Sequence, residues 1–351
     1  MSRVHPLAAV LLATVIPVLP LSAQTQRYTL SGDRVAVYNL AGNLEVRPGT
    51  GSDVVVELTR GGADAGKLTV ESGAIRGRTA LRVIYPDDRI VYDGGTGDWE
   101  SNMEVNDDGT FGDHDSGHRR VTIRSSGRGL AAHADLVVLI PAGRQVDLHL
   151  GVGRTVTASK VDSDLLIDVA SSDVTADAMR GRLRIDTGSG NVKVNGSTGD
   201  LSVDTGSGDV TVTDAKAGRI GLDTGSGDIR LERGQSDDLK VDTGSGTIEL
   251  VGIQAPNINL DTGSGDITLD LISDIEGLKI DTGSGDVRLS VPENLGAELH
   301  IETDQNNIDI GFPIQLIRKD EDGIIAKVGD GRGSIRIETG SGEVRLERSG
   351  K

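Results

Sequence analysis

The chain of 351 residues carries 54 acidic and 36 basic side chains, a formal charge of −18. That balance excludes a nucleic-acid binder, which needs a cationic footprint against phosphate. There is no cysteine, which excludes disulfides, thiolate metal sites and a cysteine nucleophile; aromatic residues are only 2%, so stacking platforms for bases or sugars are scarce.

Residues 1–23 read as a secretory signal peptide. Arg3 and His5 precede a mostly apolar run from Leu7 to Leu21, and Ser22 and Ala23 offer a small-residue cleavage site before Gln24. The run is too short to span a bilayer, and no later segment is long and apolar enough. The mature chain is therefore expected to be exported and soluble, in the periplasm or at the cell surface, with no transmembrane segment.

Residues 24–144 are expected to form a β-rich N-terminal cap and the first irregular coils. Period-two alternation predicts strands at 34–38, 43–47, 53–59, 80–85, 120–124 and 135–140. Residues 93–119 are polar and rich in Gly and Asp, and read as an exposed acidic loop.

From residue 145 to 348 the chain repeats itself. The string Asp-Thr-Gly-Ser-Gly begins at Asp186, Asp204, Asp223, Asp242, Asp261 and Asp281, in steps of 18 to 20 residues. Degenerate copies begin at Asp168 and near His149, and further ones at Glu302 and Glu338; an unmarked unit over 312–330 is expected to fill the gap between the last two. In Leu239-Lys240-Val241-Asp242-Thr243 apolar and polar residues alternate as in a strand, Gly244-Ser245-Gly246 breaks the run, and Ile248-Glu249-Leu250 resumes it. The glycines are assigned to bends because they accept positive φ cheaply. One such unit cannot bury its four or so aliphatic side chains alone, whereas stacked units bury them continuously. The fold expected is all-β, a parallel β-solenoid (β-helix) of about 11 coils of 18–20 residues; at the strand spacing of ~4.8 Å that makes a rod about 50 Å long.

The unit I/V/L-D-T-G-S-G-D-V/I-x-L and the lead-in Ala134-Asp135-Leu136-Val137-Val138-Leu139-Ile140-Pro141-Ala142-Gly143 resemble the bacterial putative-adhesin family, β-solenoid repeat proteins of unknown function. The resemblance covers roughly residues 34–348. It implies an exported, non-catalytic, right-handed coil and brings no catalytic residues with it.

Asp-Thr-Gly-Ser is also the loop of aspartic proteases, but that chemistry needs two such loops converging from two lobes, and here the copies should lie in a row. The repeat aspartates Asp186, Asp204, Asp223, Asp242, Asp261 and Asp281 are expected to be structural turn residues. Asp242 accepts a backbone N–H as an Asx turn, and Thr243 ladders inward with its equivalents. Like charges at ~4.8 Å repel by about 0.9 kcal/mol per pair even in water. A second acidic column follows the turn at Asp209, Asp228, Asp266 and Asp286, with Asn191 and Thr247 interrupting it, and Arg184, Lys193, Arg230, Lys240, Lys279 and Arg288 offset part of the charge.

No cofactor is expected, although calcium could neutralise these columns. The segment from Glu104 to Asp115 also approximates a calcium loop, with Glu104, Asn106, Asp108 and Asp115 as candidate metal ligands and Gly109 at the turn; an unstructured acidic loop is the alternative. His114 and His118 with Asp113 and Asp115 could hold a transition metal. Trp99, Tyr85 and Tyr92 could face a sugar, or pack under the loop. No nucleophile–base pair stands out. The reading is an exported, non-catalytic structural or interaction protein of the cell envelope, its partner a protein or glycan surface; the alternatives are a calcium-dependent binding module and a polysaccharide-active β-helix enzyme.

Overall fold

The computed structural model describes residues 25–94, 98–112, 119–303, 307–321 and 323–349. The signal-peptide segment, Asp113, His114, Asp115 and His118 lie outside them.

Each repeat folds into one coil with two short arms. In one mid-rod coil the arms are Asp238–Thr243 and Ile248–Ile253. Leu239, Val241, Thr243, Ile248 and Leu250 point inward and are buried, while the residues between them stay at the surface. First arms pair in parallel with first arms, and second arms with second arms. Leu239 stands against Ile220 on one side and Ile258 on the other, and Leu250 against Leu231 and Leu269. Each such aliphatic side chain contributes roughly 1.5–3 kcal/mol by leaving water, and none would be covered without the coils above and below. Steps of 18, 19 or 20 residues coexist because the first arms keep their register while the return side absorbs the difference, in the connections, as at 233–237 and 272–276, and in a register shift between Leu250 and Ile253.

The turn glycines do more than bend the chain. A Cβ on Gly246 would lie 1.9 Å from the Gly227 carbonyl oxygen of the coil beneath, and one on Gly265 would lie 2.0 Å from Gly246 oxygen. Neither has a positive φ, although Gly190 and Gly208 do. Most of these glycines are therefore demanded by the close approach of one turn to the next, and only some by a left-handed backbone.

The six strands read from the cap sequence are all present, overlapping Arg34–Ala41, Leu44–Pro48, Val54–Gly61, Arg78–Ile84, Arg119–Arg124 and His133–Ile140, with Asn43, Asp53 and Tyr85 just outside them. Part of the expected loop at 93–119 is a strand instead. Glu100–Val105 pairs antiparallel with Arg119–Arg124 in a small separate sheet; its alternation was masked because both of its faces are largely polar. Helix among the described residues is a single 3-10 turn, Ala65–Lys67.

The coils run in chain order only from Gln145 to Val291. At the C-terminal end the last repeat, Gly333–Thr339 and Val344–Arg348, sits between the coil of Gly277–Thr282 and Val287–Val291 and that of Ala297–Thr303 and Ile308–Ile310. The segment expected as an unmarked coil at 312–330 is a hairpin instead. Its strands Gln315–Lys319 and Gly323–Val328 pair antiparallel and close the outer edge of Ala297–Thr303. A coil must offer inward side chains on both arms, and Gln315–Lys319 is exposed throughout, so it can only serve as an edge. The N-terminal end has the same arrangement. Arg34–Ala41 and Leu44–Pro48 lie between the coil starting at Gln145 and an outer level formed by Arg78–Ile84 and His133–Ile140. Antiparallel Thr69–Ile75 and Val54–Gly61 cover that level.

Candidate functional site: a carboxylate ladder along the rod

From Asp186 onward the residue before the buried threonine of each first arm faces outward, and the parallel register stacks these positions in one column with Asp168, which precedes Val169. Asp168, Asp186, Asp204, Asp223, Asp242, Asp261 and Asp281 follow in order, each the register partner of the next. The tucked last repeat adds Glu338 directly beside Asp281, and the coil beyond it adds Glu302. The six aspartates named from the sequence are thus brought together, and Asp168, Glu338 and Glu302 extend their row. The degenerate repeats carried the signal for these three.

The column is not electrostatically uniform. Arg184, Lys240 and Lys279 sit two residues before Asp186, Asp242 and Asp281 and reach each carboxylate at 3.4 Å, and Arg336 pairs with Glu338. Gly221 and Asn259 stand where Asp223 and Asp261 would have a cation. Partial burial, reinforced by the neighbouring aspartates, pushes Asp223 and Asp261 above the usual carboxylate range. Asp186 is also raised, by burial first and then by Asp168 and Asp204, in spite of Arg184.

At its N-terminal end the column passes under a roof. His149 is the register partner of Asp168, and Nδ1 lies 2.8 Å from Asp168 Oδ2. The imidazole is buried, stacks on Tyr38 at 4.5 Å and meets Phe111 edge-on. Gly112 presses against the pair so closely that a Cβ there would lie 2.1 Å from Asp168 Oδ2. The sequence marks His149 as the place of a degenerate copy, 19 positions before Asp168, but not as a partner of that carboxylate.

The second acidic column has a different task. Asp209 Oδ1 accepts the N–H of Asp228 at 3.0 Å, Asp228 that of Thr247 at 2.8 Å, and Asp286 that of Glu343 at 2.8 Å. The backbone bonding expected of Asp242 is therefore made by this column, from coil to coil; Asp242 pairs with Lys240 instead. The reason is directional, since the residue after the turn points along the stack at the next N–H. Thr243 is buried as expected, but its hydroxyl donates to the Gly227 carbonyl at 3.0 Å rather than to another threonine.

The candidate metal loop is folded on itself between Asn106 and Thr110, within its described part. Glu104 is exposed on its strand, opposite Arg120. Asn106 Nδ2 donates to Thr110 Oγ1 at 3.0 Å, and Asp108 Oδ1 accepts from the Thr110 N–H and hydroxyl at 3.0 and 2.7 Å. Burial works upward on Asp108, but the Thr110 bonds with the charges of Arg76 and Arg82 outweigh it and hold the carboxyl low. Among the described residues no three His, Asp or Glu side chains converge as metal ligands. Tyr85 and Tyr92 are buried and Trp99 packs against the core, so these rings lie under the loop side of the rod. Burial drives the Tyr85 hydroxyl far up; it donates to Asn39 Oδ1 at 2.8 Å. No helix among the described residues is long and apolar enough to cross a membrane.

No curated protein matches the chain. Three solved structures share features with it: a putative cell adhesion protein from Clostridium sporogenes (11% identity, 93% of this chain and 100% of that one, TM-score 0.19), and putative adhesins from Parabacteroides distasonis (12%, 93% and 98%, 0.39) and Parabacteroides merdae (9%, 94% and 98%, 0.38). Residues 116–347 match the family described as Toastrack DUF4097, a match that takes in the repeats, the hairpin and the tucked last coil. On that match, spanning well over half of its length, the chain belongs to the Toastrack DUF4097 family.

Proposed function

We propose that this chain is an exported, non-catalytic rod of the cell envelope whose carboxylate column is an adhesin-like interaction surface. The observation that supports this most is the unbroken in-register row from Asp168 to Glu302, which includes the coil inserted out of chain order. A stacked row at ~4.8 Å spacing sets a repeating negative potential that suits cationic or hydroxyl-rich groups on a protein or glycan surface. The reading is tested by binding of the purified protein to cell-envelope fractions, against a variant with Asp204, Asp223, Asp242 and Asp261 changed to Asn. Retention that falls several-fold in the variant and weakens with salt supports it. Equal retention of the two proteins rejects the column as the contact surface.

Calcium enters this proposal as a charge-neutralising ion on the column. At matched ionic strength, a melting temperature that rises with calcium and returns with chelator supports calcium uptake, and an unchanged melting temperature removes it.

A further inference from the structure

We infer that both chain ends are built as clamps, and that the rod thereby bears tension applied to its termini. In a solenoid whose coils follow chain order, the terminal coil has one neighbour and its strands are edges. Such an end peels, breaking one backbone bond at a time, and chain termini are usually the first segments to lose order.

Here the last repeat avoids the end position. Ile335 and Ile337 stand between Leu278 and Ile280 on one side and Leu299 and Ile301 on the other. The Thr339 hydroxyl donates back to the Gly285 carbonyl at 3.0 Å, and Thr303 of the outer coil donates to the Gly342 carbonyl at 3.2 Å. Arg348 and Ser349 are pinned as well. The Arg348 guanidinium lies 4.4 Å over the Phe312 ring and donates to the Pro292 carbonyl at 2.5 Å, and the Ser349 hydroxyl meets Asp270 Oδ1 at 2.9 Å. The tip of the rod is left to the coil of Ala297–Thr303 and Ile308–Ile310 and the hairpin of Gln315–Lys319 and Gly323–Val328, which together leave the stack after Val291 and rejoin it at Gly333.

The N-terminal arm is held in the same way. Buried Asn39 donates to the Ala134 carbonyl of the outer level at 2.7 Å, and the Gly42 N–H donates to Val152 on the inner side at 3.1 Å. Among the described residues the strand Gln26–Leu30 precedes it, paired antiparallel with Val54–Gly61. A pull between the ends of the rod runs along the stack, across the arms, so freeing any part of either arm breaks ladders on both of its edges at once.

The experiment is single-molecule stretching of the full chain from its two termini, with native-state hydrogen exchange on the same protein. The amides of Ile335, Ile337, Val344 and Leu346 are expected to exchange as slowly as those of Val241 and Leu250 in mid-rod. Stretching is expected to show a cooperative rupture before the repeats extend. Thr303→Val with Thr339→Val and Arg348→Ala should lower that rupture force, while Thr224→Val with Thr243→Val, the same chemistry in mid-rod, should leave it unchanged. Because the chain has no cysteine, Ser290→Cys with Glu347→Cys, whose parent side chains are 3.2 Å apart, gives a check that does not depend on weakening the fold; the oxidised protein should rupture at higher force than its reduced form. Smooth peeling from the C-terminus at low force, fast exchange in the arm, or identical oxidised and reduced traces overturns the inference.

Discussion

At the residue scale the repeat motif divides its labour among four positions. The first aspartate faces outward, the threonine bonds down to the coil beneath, the two glycines permit turn-on-turn contact, and the residue after the turn accepts the next coil's N–H. Replacing Gly246 by Ala places a methyl 1.9 Å from backbone oxygen, with no flexible side chain to yield. A loss of about 2–4 kcal/mol is expected from such forced repacking, read as a fall in the denaturation midpoint; a midpoint within error of the parent would show that the turns are not in contact. Thr243→Val keeps the shape and removes the donor to Gly227. It is expected to cost about 1–2 kcal/mol for the stranded carbonyl, with Thr243→Ser recovering most of it.

The column carboxylates give a pH dependence of definite sign. Asp186, Asp223 and Asp261 have native pKa values above the ordinary one, so the folded state binds more protons than the unfolded chain just above the usual carboxylate range. Their contribution favours folding at low pH and is lost as pH rises through the raised native values. Asp108, whose pKa is lowered, contributes in the opposite sense and loses its stabilisation as pH falls. Comparing the parent with a variant carrying Asn at 186, 223 and 261 isolates the column. The variant is expected to melt higher at pH 7, with the gap closing on acidification; a variant that melts lower at neutral pH would contradict the repulsion.

At the element scale the arms repeat without change while the connections and ends vary. The hairpin strand Gln315–Lys319 is an open edge with Leu316 and Ile317 more than half exposed. A register shift between Leu316 and Arg318 and the charges of Arg318 and Lys319 guard it, devices that discourage edge-to-edge pairing. Arg318→Val with Lys319→Val is expected to promote concentration-dependent association, seen by sedimentation velocity. A variant that stays at the parent's sedimentation coefficient over the same range would show that the twisted hairpin alone protects the edge. The strand Glu100–Val105 shows where pattern reading stops: among the described residues it is paired on one edge, and it is largely polar on both faces, so its alternation has no large apolar component to detect.

At the scale of the whole molecule, one continuous apolar interior and one charged exterior follow from the same register. Sliding one coil by a single residue would bury an aspartate and expose a valine, so the core enforces the column. Repulsion along the column is the cost of that register, partly relieved by Arg184, Lys240, Lys279 and Arg336.

The coil itself was legible in the sequence, because alternation with breaks every 18 to 20 residues permits few other ways to bury Val, Ile and Leu. So were the inward threonines and the outward aspartates, which follow from the period of two. The neighbour relations at the ends were not. Ile280-Asp281-Thr282-Gly283-Ser284-Gly285 and Ile337-Glu338-Thr339-Gly340-Ser341-Gly342 are chemically interchangeable, so each can pair with any other coil and sequence order is the only guide to who stacks on whom. Tertiary structure overruled that order at both ends, because an exposed strand edge is best closed by an antiparallel hairpin, and seating the chain's own last repeat beneath it pairs both edges of that repeat.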